Sequence, residues 1–237
     1  MNVAKYNLNH SQNRKCFACQ DKCKAFTKLD YTELHLASEN KVHLHFRKGE
    51  TIAKQGAFVT HVMYLLTGLV KVYKEVDDKT APIYDIYAKG KLLGLDTLFE
   101  LDKYPYSIAA VEDSHICAID KKVIEKLIHN NGTFAAEILK SVNTDIFNNR
   151  EKMVSLTVKQ LYGRLADTLL YLSDDVYEGE EFELNLSRKE LGDLSGMSKM
   201  SVVRTIQDFI KDGLIENHDH TIRIKDKQAL ASLSING

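Results

Sequence analysis

The sequence predicts an α+β protein in three parts: an N-terminal β-roll or barrel, one long helix, and a C-terminal winged helix-turn-helix. Three observations predict this class. Short runs rich in Val, Ile, Tyr and His recur between about residues 30 and 120, an uninterrupted helical stretch spans 133–156, and helix, glycine turn and helix follow residue 187. With 237 residues, 44% of them hydrophobic, the chain can build two compact modules without disulfides.

Residues 1–28 are expected to form a polar arm that carries Cys16, Cys19 and Cys23. The arm has no apolar segment, and no later stretch approaches the roughly 18 unbroken apolar residues that a membrane span needs. We therefore expect a cytoplasmic protein without membrane contact. Clustered thiols in a reducing compartment indicate a ligand, because they are too few and too unevenly placed for a disulfide framework.

The fourth cysteine, Cys117, lies at the end of a predicted strand, so a folded roll could present it to the arm. We call Cys16, Cys19, Cys23 and Cys117 the thiol cluster. Tetrahedral sulfur ligation suits zinc or an iron–sulfur centre, and free or redox-active thiols are the alternative. Four positively charged residues lie close to the arm thiols in the sequence: Arg14, Lys15, Lys22 and Lys24. These charges are expected to lower the pKa values of the thiols. In the alternative interpretation they only keep the arm solvated.

The roll is expected over residues 29–125. Glycines separate its predicted strands, which are KVHLHF, HVMYLL, LVKVYKE, PIYDIY, SIAAVED and HICAID. His43 and His45 share one face of the first strand and raise the possibility of a haem or metal site. Alternate histidines on a strand are more often surface residues.

One long helix is expected over residues 126–157. Six of its side chains step by three and four and form one stripe: Leu139, Val142, Ile146, Asn149, Met153 and Leu156. A second copy of the helix could pack along this stripe to make a homodimer, with Asn149 fixing the register. In the alternative interpretation the stripe faces the roll.

The winged helix-turn-helix is expected over residues 158–237. QLYGRLADTLLYL reads as a helix and DDVYEGEE as a loop. Ser187 and Glu190 fit a capping box, a helix ends near Gly196, and Ser198 caps the next helix, which runs to about Lys211. The buried face of this second helix is expected to consist of Val202, Ile206, Phe209 and Ile210.

The second helix carries the signal for DNA. Arg204 is the best candidate for a base contact, because a guanidinium can donate two bonds to guanine. The helix has a local charge of +2, from Lys199, Arg204 and Lys211 against Asp208. Residues 160–237 as a whole hold nine Lys or Arg against fourteen Asp or Glu, a formal −5, which argues mildly against DNA and leaves a protein-interaction module as an alternative.

LIEN and TIRIK flank a polar turn and predict a hairpin wing. Its Arg223, Lys225 and Lys227 could reach phosphates. The sequence contains no glycine-rich phosphate loop, metalloprotease helix motif or nucleophile elbow, so we do not expect an enzyme.

Three segments together resemble the Crp/Fnr family of transcription regulators: KGETIAKQGAFVTHVMYLLTGLVKVYKE, GRLADTLLYL and LSRKELGDLSGMSKMSVVRTIQDFIKDGLI. The resemblance implies a cyclic-nucleotide-binding-like jelly roll that senses an effector, a dimerisation helix, a helix in the major groove of a palindromic operator, and contact with RNA polymerase. The DNA-binding residues that it implies are Ser198, Lys199, Met200, Ser201, Arg204 and Gln207. Met200 departs from the glutamate that many members carry.

The thiol cluster is similar to that of the oxygen-sensing Fnr branch, which implies that its four cysteines hold a [4Fe–4S] cluster controlled by oxygen, nitric oxide or redox state. The arm here is shorter than the usual Fnr pattern. The resemblance argues against cyclic AMP, because Leu95 follows Gly94 where the family has a ribose-binding glutamate, and Tyr106 stands where it has a phosphate-binding arginine.

Overall fold

The N-terminal module is a β-roll of two four-stranded antiparallel sheets. The computed structural model of the chain describes residues 15–77 and 81–236. In strand order the sheets are β1-β8-β3-β6 and β2-β7-β4-β5. Their strands are β1 (Lys41–Phe46), β2 (Thr51–Ala53), β3 (His61–Thr67), β4 (Leu69–Tyr73), β5 (Ile83–Ala88), β6 (Leu92–Leu93), β7 (Ser107–Ala110) and β8 (Ser114–Asp120).

Side chains from both sheets meet in one apolar layer, as expected for two packed sheets. Leu65, Val70, Ile108 and Ile116 are fully buried there. Each of the six runs that predicted a strand contains one. The short strands β2 and β6 were not predicted.

Three helices flank the roll: α1 (Tyr31–Glu39), α2 (Lys121–Asn130) and α3 (Gly132–Val158). The segment 126–157, expected as one helix, is divided at Asn131. The Asn131 side chain accepts hydrogen bonds from the backbone N–H groups of Thr133 (3.1 Å) and Phe134 (3.0 Å). It therefore caps the N-terminus of α3, and the long helix begins there.

The C-terminal module contains four helices: α4 (Leu161–Tyr171), α5 (Arg188–Ser195), α6 (Lys199–Lys211) and α7 (Lys227–Asn236). It also contains a small antiparallel sheet with the strand order β10-β11-β9. The strands of this sheet are β9 (Glu181–Glu183), β10 (Ile215–His218) and β11 (Thr221–Ile224). The acidic segment 174–181, expected as a loop, instead begins within a π-helical turn, Leu172–Val176, and ends at Glu181, the first residue of β9. Helix α7, which packs against α4, was not predicted.

The two modules share polar and apolar contacts. Lys71 on β4 forms an ion pair of 2.6 Å with Glu190 on α5. The Tyr171 hydroxyl donates to Asp85 and lies 2.6 Å from the Ile86 carbonyl oxygen. Burial is the main cause that raises the pKa of Asp85 and lowers the pKa of the neighbouring Lys152 to about 8. These contacts place the helix-turn-helix on the β4–β5 face of the roll.

None of the described helices combines the length and apolar composition that a membrane crossing requires.

Candidate nucleic-acid interface and thiol cluster

Helix α5 begins in the capping box that the sequence predicts. The Ser187 side chain accepts from the Glu190 backbone N–H (3.2 Å), and Glu190 accepts from the Ser187 backbone N–H (2.8 Å). The helix ends at Gly196, which adopts a left-handed conformation with φ 65°. A side chain at that position would be strained, so a glycine belongs there.

The turn between α5 and α6 depends on close packing at Gly192. A β-carbon at this position would lie 2.6 Å from the carbonyl oxygen of Met197. Ser198 then caps α6 by accepting from the Ser201 backbone N–H at 3.1 Å. The start of α6 is thereby fixed relative to α5.

Helix α6 has one buried and one open face. Val202, Thr205, Ile206 and Phe209 are buried. Ile210, expected on the buried face, is 40% exposed. It lies at the edge of the buried stripe, where the helix ends.

The open face carries the predicted DNA-binding residues. Met200, Arg204, Gln207 and Lys211 are exposed and follow one another at steps of four, three and four, so they share one side of the helix. Lys199 and Ser198 are also exposed, and Ser201 is half-buried beside its capping partner. The structure therefore brings the six residues to the open side and the first turn of a single helix.

Tyr162 on α4 is a neighbour of this face that the sequence did not indicate. Its hydroxyl donates to the Asp208 carboxylate at 2.5 Å, and its ring contacts Phe209 edge-on. The hydrogen bond to Asp208 raises the pKa of Tyr162, and Arg204 opposes this shift. Tyr162 thus orients Asp208 beside Arg204.

The hairpin wing is present, but its cations are paired. Arg223 lies 3.6 Å from Glu181 and Lys225 lies 3.0 Å from Glu216. Lys227 is not on the wing: it begins α7 and pairs with Asp174 at 2.5 Å. Exposed ion pairs contribute little stability, so phosphates could compete for Arg223 and Lys225.

The stripe predicted on α3 separates into two groups. Leu139, Ile146, Asn149 and Met153 are exposed, whereas Val142 packs on the roll core and Leu156 lies against the Gly196 turn. The open apolar surface of α3 also includes two residues outside the predicted stripe, Phe147 and Val154.

The thiol cluster gathers where the arm meets the roll. Cys16 and Cys117 are buried and Cys23 packs against the same core. The Cys16 backbone N–H donates to Ser38 Oγ at 3.1 Å, which holds the arm against α1. Within residues 15–77 and 81–236, no three His, Cys, Asp or Glu side chains already have the positions needed to hold a metal ion.

Burial dominates the chemistry of these thiols. It raises the pKa values of Cys16 and Cys23, and it raises the pKa of Cys117 to about 12. The expectation of lowered pKa values is wrong for Cys16 and Cys23, because desolvation outweighs the lysines near Cys16 and the backbone hydrogen bonds to Cys23. Arg14, the other expected contributor, lies outside the described residues.

His43 and His45 occupy different environments. His43 Nδ1 lies 3.3 Å from His115 Nε2, and His43 Nε2 lies 2.8 Å from Lys41 Nζ. Burial, with help from Lys41 and His115, lowers the pKa of His43 to about 4. His45 is exposed. His43 thus faces a histidine and a lysine.

A cavity of about 420 Å³ lies between the roll and α3. Its lining includes the carboxyl groups of Asp85, Asp96 and Asp145, and no lysine or arginine among the described residues. Tyr106 donates to Asp96 at 2.5 Å, and burial raises the pKa of Asp96. A phosphate in this cavity would meet these carboxyl groups, one of which already pairs with a lysine: Lys91 Nζ lies 2.5 Å from Asp145.

Two family models match the chain. Residues 43–131 match the cyclic nucleotide-binding domain, and residues 163–233 match the Crp-like helix-turn-helix domain. The transcriptional activator protein FnrA of Stutzerimonas stutzeri is 24% identical over 192 residues, which cover 79% of this chain and 78% of FnrA. The fumarate and nitrate reduction regulatory protein of Yersinia pestis is 23% identical over 194 residues, which cover 80% of this chain and 77% of that protein.

Solved structures share the fold. FixK2 from Bradyrhizobium japonicum superposes with a TM-score of 0.76 at 21% identity, over 81% of this chain and 96% of FixK2. TTHB099, a CRP-family transcriptional regulator from Thermus thermophilus, superposes with a TM-score of 0.68 at 20% identity, over 81% of this chain and 96% of TTHB099. The predicted fold class is confirmed.

Proposed function

Since the chain belongs to the Crp/Fnr family of DNA-binding transcription regulators, we propose that a homodimer binds a palindromic operator in the cytoplasm and contacts RNA polymerase there. One observation carries the proposal. Opposite its buried face, helix α6 exposes a stripe of four residues: Met200, Arg204, Gln207 and Lys211. A rigid helix with one open polar face suits insertion into the major groove. The similar proteins FnrA and TTHB099 are a transcriptional activator and a transcriptional regulator, which favours this class over an enzyme.

Arg204 is proposed to read a base, and Ser198, Lys199, Met200, Ser201 and Gln207 to contact the DNA around it. Arg204 is exposed and lies beside Asp208, which Tyr162 holds. The local charge of +2 on α6 is small, so base contacts are proposed to supply more of the affinity for the operator than the attraction of phosphates does. Base contacts of this kind allow an acidic domain to bind DNA.

Binding of the purified protein to a pool of random duplexes tests the proposal. Arg204→Ala should reduce the affinity by about 1–3 kcal/mol and relax the sequence preference. Arg47→Ala removes the same charge from an exposed position on the roll and serves as the matched control. Equal loss of binding in both variants would contradict a role for α6.

The dimer is proposed to form along the open surface of α3. Leu139, Ile146 and Met153 lie on it, with Phe147 and Val154 beside them. Large apolar side chains exposed together on one helix indicate a partner surface. Two copies joined there would present two α6 helices to the two halves of a palindrome.

We further propose that the thiol cluster holds a [4Fe–4S] centre. The donors fit in number and softness, since four thiolates are the usual ligands of such a cluster. Their high pKa values mean that ligation must displace protons from Cys16, Cys23 and Cys117. Cys16, Cys19 and Cys23 would have to close on Cys117. When bound, the cluster would supply sensitivity to oxygen, nitric oxide or redox state.

Anaerobic reconstitution distinguishes this centre from its alternatives. The wild-type protein should hold about four iron and four acid-labile sulfide per protomer, and Cys117→Ser should lose both. His43→Gln should keep them, which separates the cluster from a haem on His43. Zinc in place of iron, or unmetallated thiols that form disulfides, would contradict the cluster.

Cyclic AMP is not the proposed effector. Its phosphate would enter a cavity lined by Asp85, Asp96 and Asp145, where a buried anion would have no cationic partner among the described lining residues.

A further inference from the structure

We propose that Met200 determines operator specificity by contacting the C5-methyl group of a thymine, within about two base pairs of the base that Arg204 contacts. This inference rests on the proposed entry of α6 into the major groove. It adds the type of base that one position of each half-site must contain.

Met200 is 74% exposed, so most of its thioether side chain contacts water. Val202 and Ile206 of the same helix are turned into the core, whereas Val203 is half-buried. Ser198 caps the first turn and fixes its backbone. The exposed methionine therefore sits on a rigid element and is not part of the packing of its own domain.

The position of Met200 relative to Arg204 sets the spacing of the two contacts. The two residues are four apart in α6 and lie on the same face. A helix rises about 1.5 Å per residue, so their α-carbons are about 6 Å apart along the axis. Base pairs repeat about every 3.4 Å, and the two side chains therefore reach bases about two steps apart at most.

The chemistry of the side chain selects the base. A thioether donates no hydrogen bond and is only a weak acceptor, so it cannot pair with the carbonyl groups of the major groove and pairs poorly with the amino groups. The one apolar group on that edge is the thymine methyl. Val203, half-buried next to Met200 on the same side, extends the apolar surface that would cover this methyl.

The test begins with an operator selected from random duplexes by the wild-type homodimer. Each thymine is then replaced by uracil, which removes only the methyl group, and binding is followed by fluorescence anisotropy. At one thymine per half-site, near the guanine that Arg204 contacts, replacement by uracil should lower the affinity of the protein for the duplex about fourfold. This factor corresponds to the free energy of burying one methyl group. Met200→Ala should bind the thymine and uracil duplexes equally.

Lys199→Ala is the matched control, since it shortens the neighbouring exposed side chain. It should weaken binding to both duplexes and keep their ratio. A Met200→Ala protein that still distinguishes thymine from uracil, or a wild-type protein that distinguishes them nowhere, would overturn the inference. If Arg204→Ala also leaves binding unchanged, or no operator can be selected, the proposed function itself fails.

Discussion

Replacing Gly192 with alanine perturbs the turn that sets the angle between α5 and α6. The new β-carbon would lie 2.6 Å from the Met197 carbonyl oxygen, whereas ordinary contact begins near 3.4 Å. The turn must therefore open by about 0.8 Å. Because Met197 precedes the cap of α6, this movement displaces the start of the recognition helix.

The expected free-energy change is the difference between two opposing effects. Alanine gains up to about 1 kcal/mol in helix propensity over glycine. Overpacking a buried site costs about 1–3 kcal/mol, and here the obstacle is backbone rather than a flexible side chain. We expect a net loss of about 1–2 kcal/mol, or a fall in Tm of about 2–8 °C for a chain of this size.

Gly132→Ala is the matched control. Gly132 begins α3, and a β-carbon there would meet nothing within 4 Å. In thermal unfolding, Gly132→Ala should have the same Tm as the wild type or a higher one, whereas Gly192→Ala should have a lower Tm. Gly192→Ala should also bind DNA less tightly. Equal stability and equal DNA affinity of the two variants would refute the reasoning about the turn.

Three further predictions concern the dimer, the pH dependence and the cavity. Ile146→Asp should give monomers in analytical ultracentrifugation, because it places a charge on the open apolar surface of α3. The control Thr144→Asp, at an exposed position of the same helix, should remain dimeric. Dimers from both variants would contradict the proposal that this surface forms the dimer. In the protein without metal, the free energy of unfolding should decrease as the pH falls from 6.5 towards 4, because His43 with a pKa of about 4 stays neutral in the folded state while the unfolded chain takes up a proton. His43→Gln should weaken this pH dependence of the unfolding free energy, measured by denaturant titrations at several pH values. An unchanged pH dependence in the variant would show that His43 does not cause it. Millimolar cyclic AMP should leave Tm unchanged, since the cavity offers carboxyl groups to its phosphate. A saturable rise in Tm would show that the protein binds cyclic AMP.

Much of the fold follows from local patterns in the sequence. The strands with alternating β-branched residues, the capping box at Ser187 and the cap at Ser198 were all predicted, because each depends on neighbours in the chain. The two-residue strand β6 was not, since it exists only through its pairing with Met63 and Tyr64 on β3. Short elements of this kind are determined by tertiary contacts.

The site shows the same division. The open face of α6 could be predicted from helical periodicity, and its six residues remain the predicted DNA contacts. The direction of the pKa shifts of the arm thiols could not, because the burial of Cys16 and Cys23 in the folded protein outweighs the charges visible in the sequence. The pairing of Lys71 with Glu190 joins residues 119 apart, and no local pattern indicates it.

We propose that two copies of this chain bind one duplex through α6. Mass photometry of the purified protein on its selected operator measures this stoichiometry. We predict a complex of two protomers per duplex for the wild type, and less of this complex with more free protein and free duplex for Arg204→Ala at the same concentrations. One protomer per duplex, or a complex that is the same in both proteins, would contradict the claim.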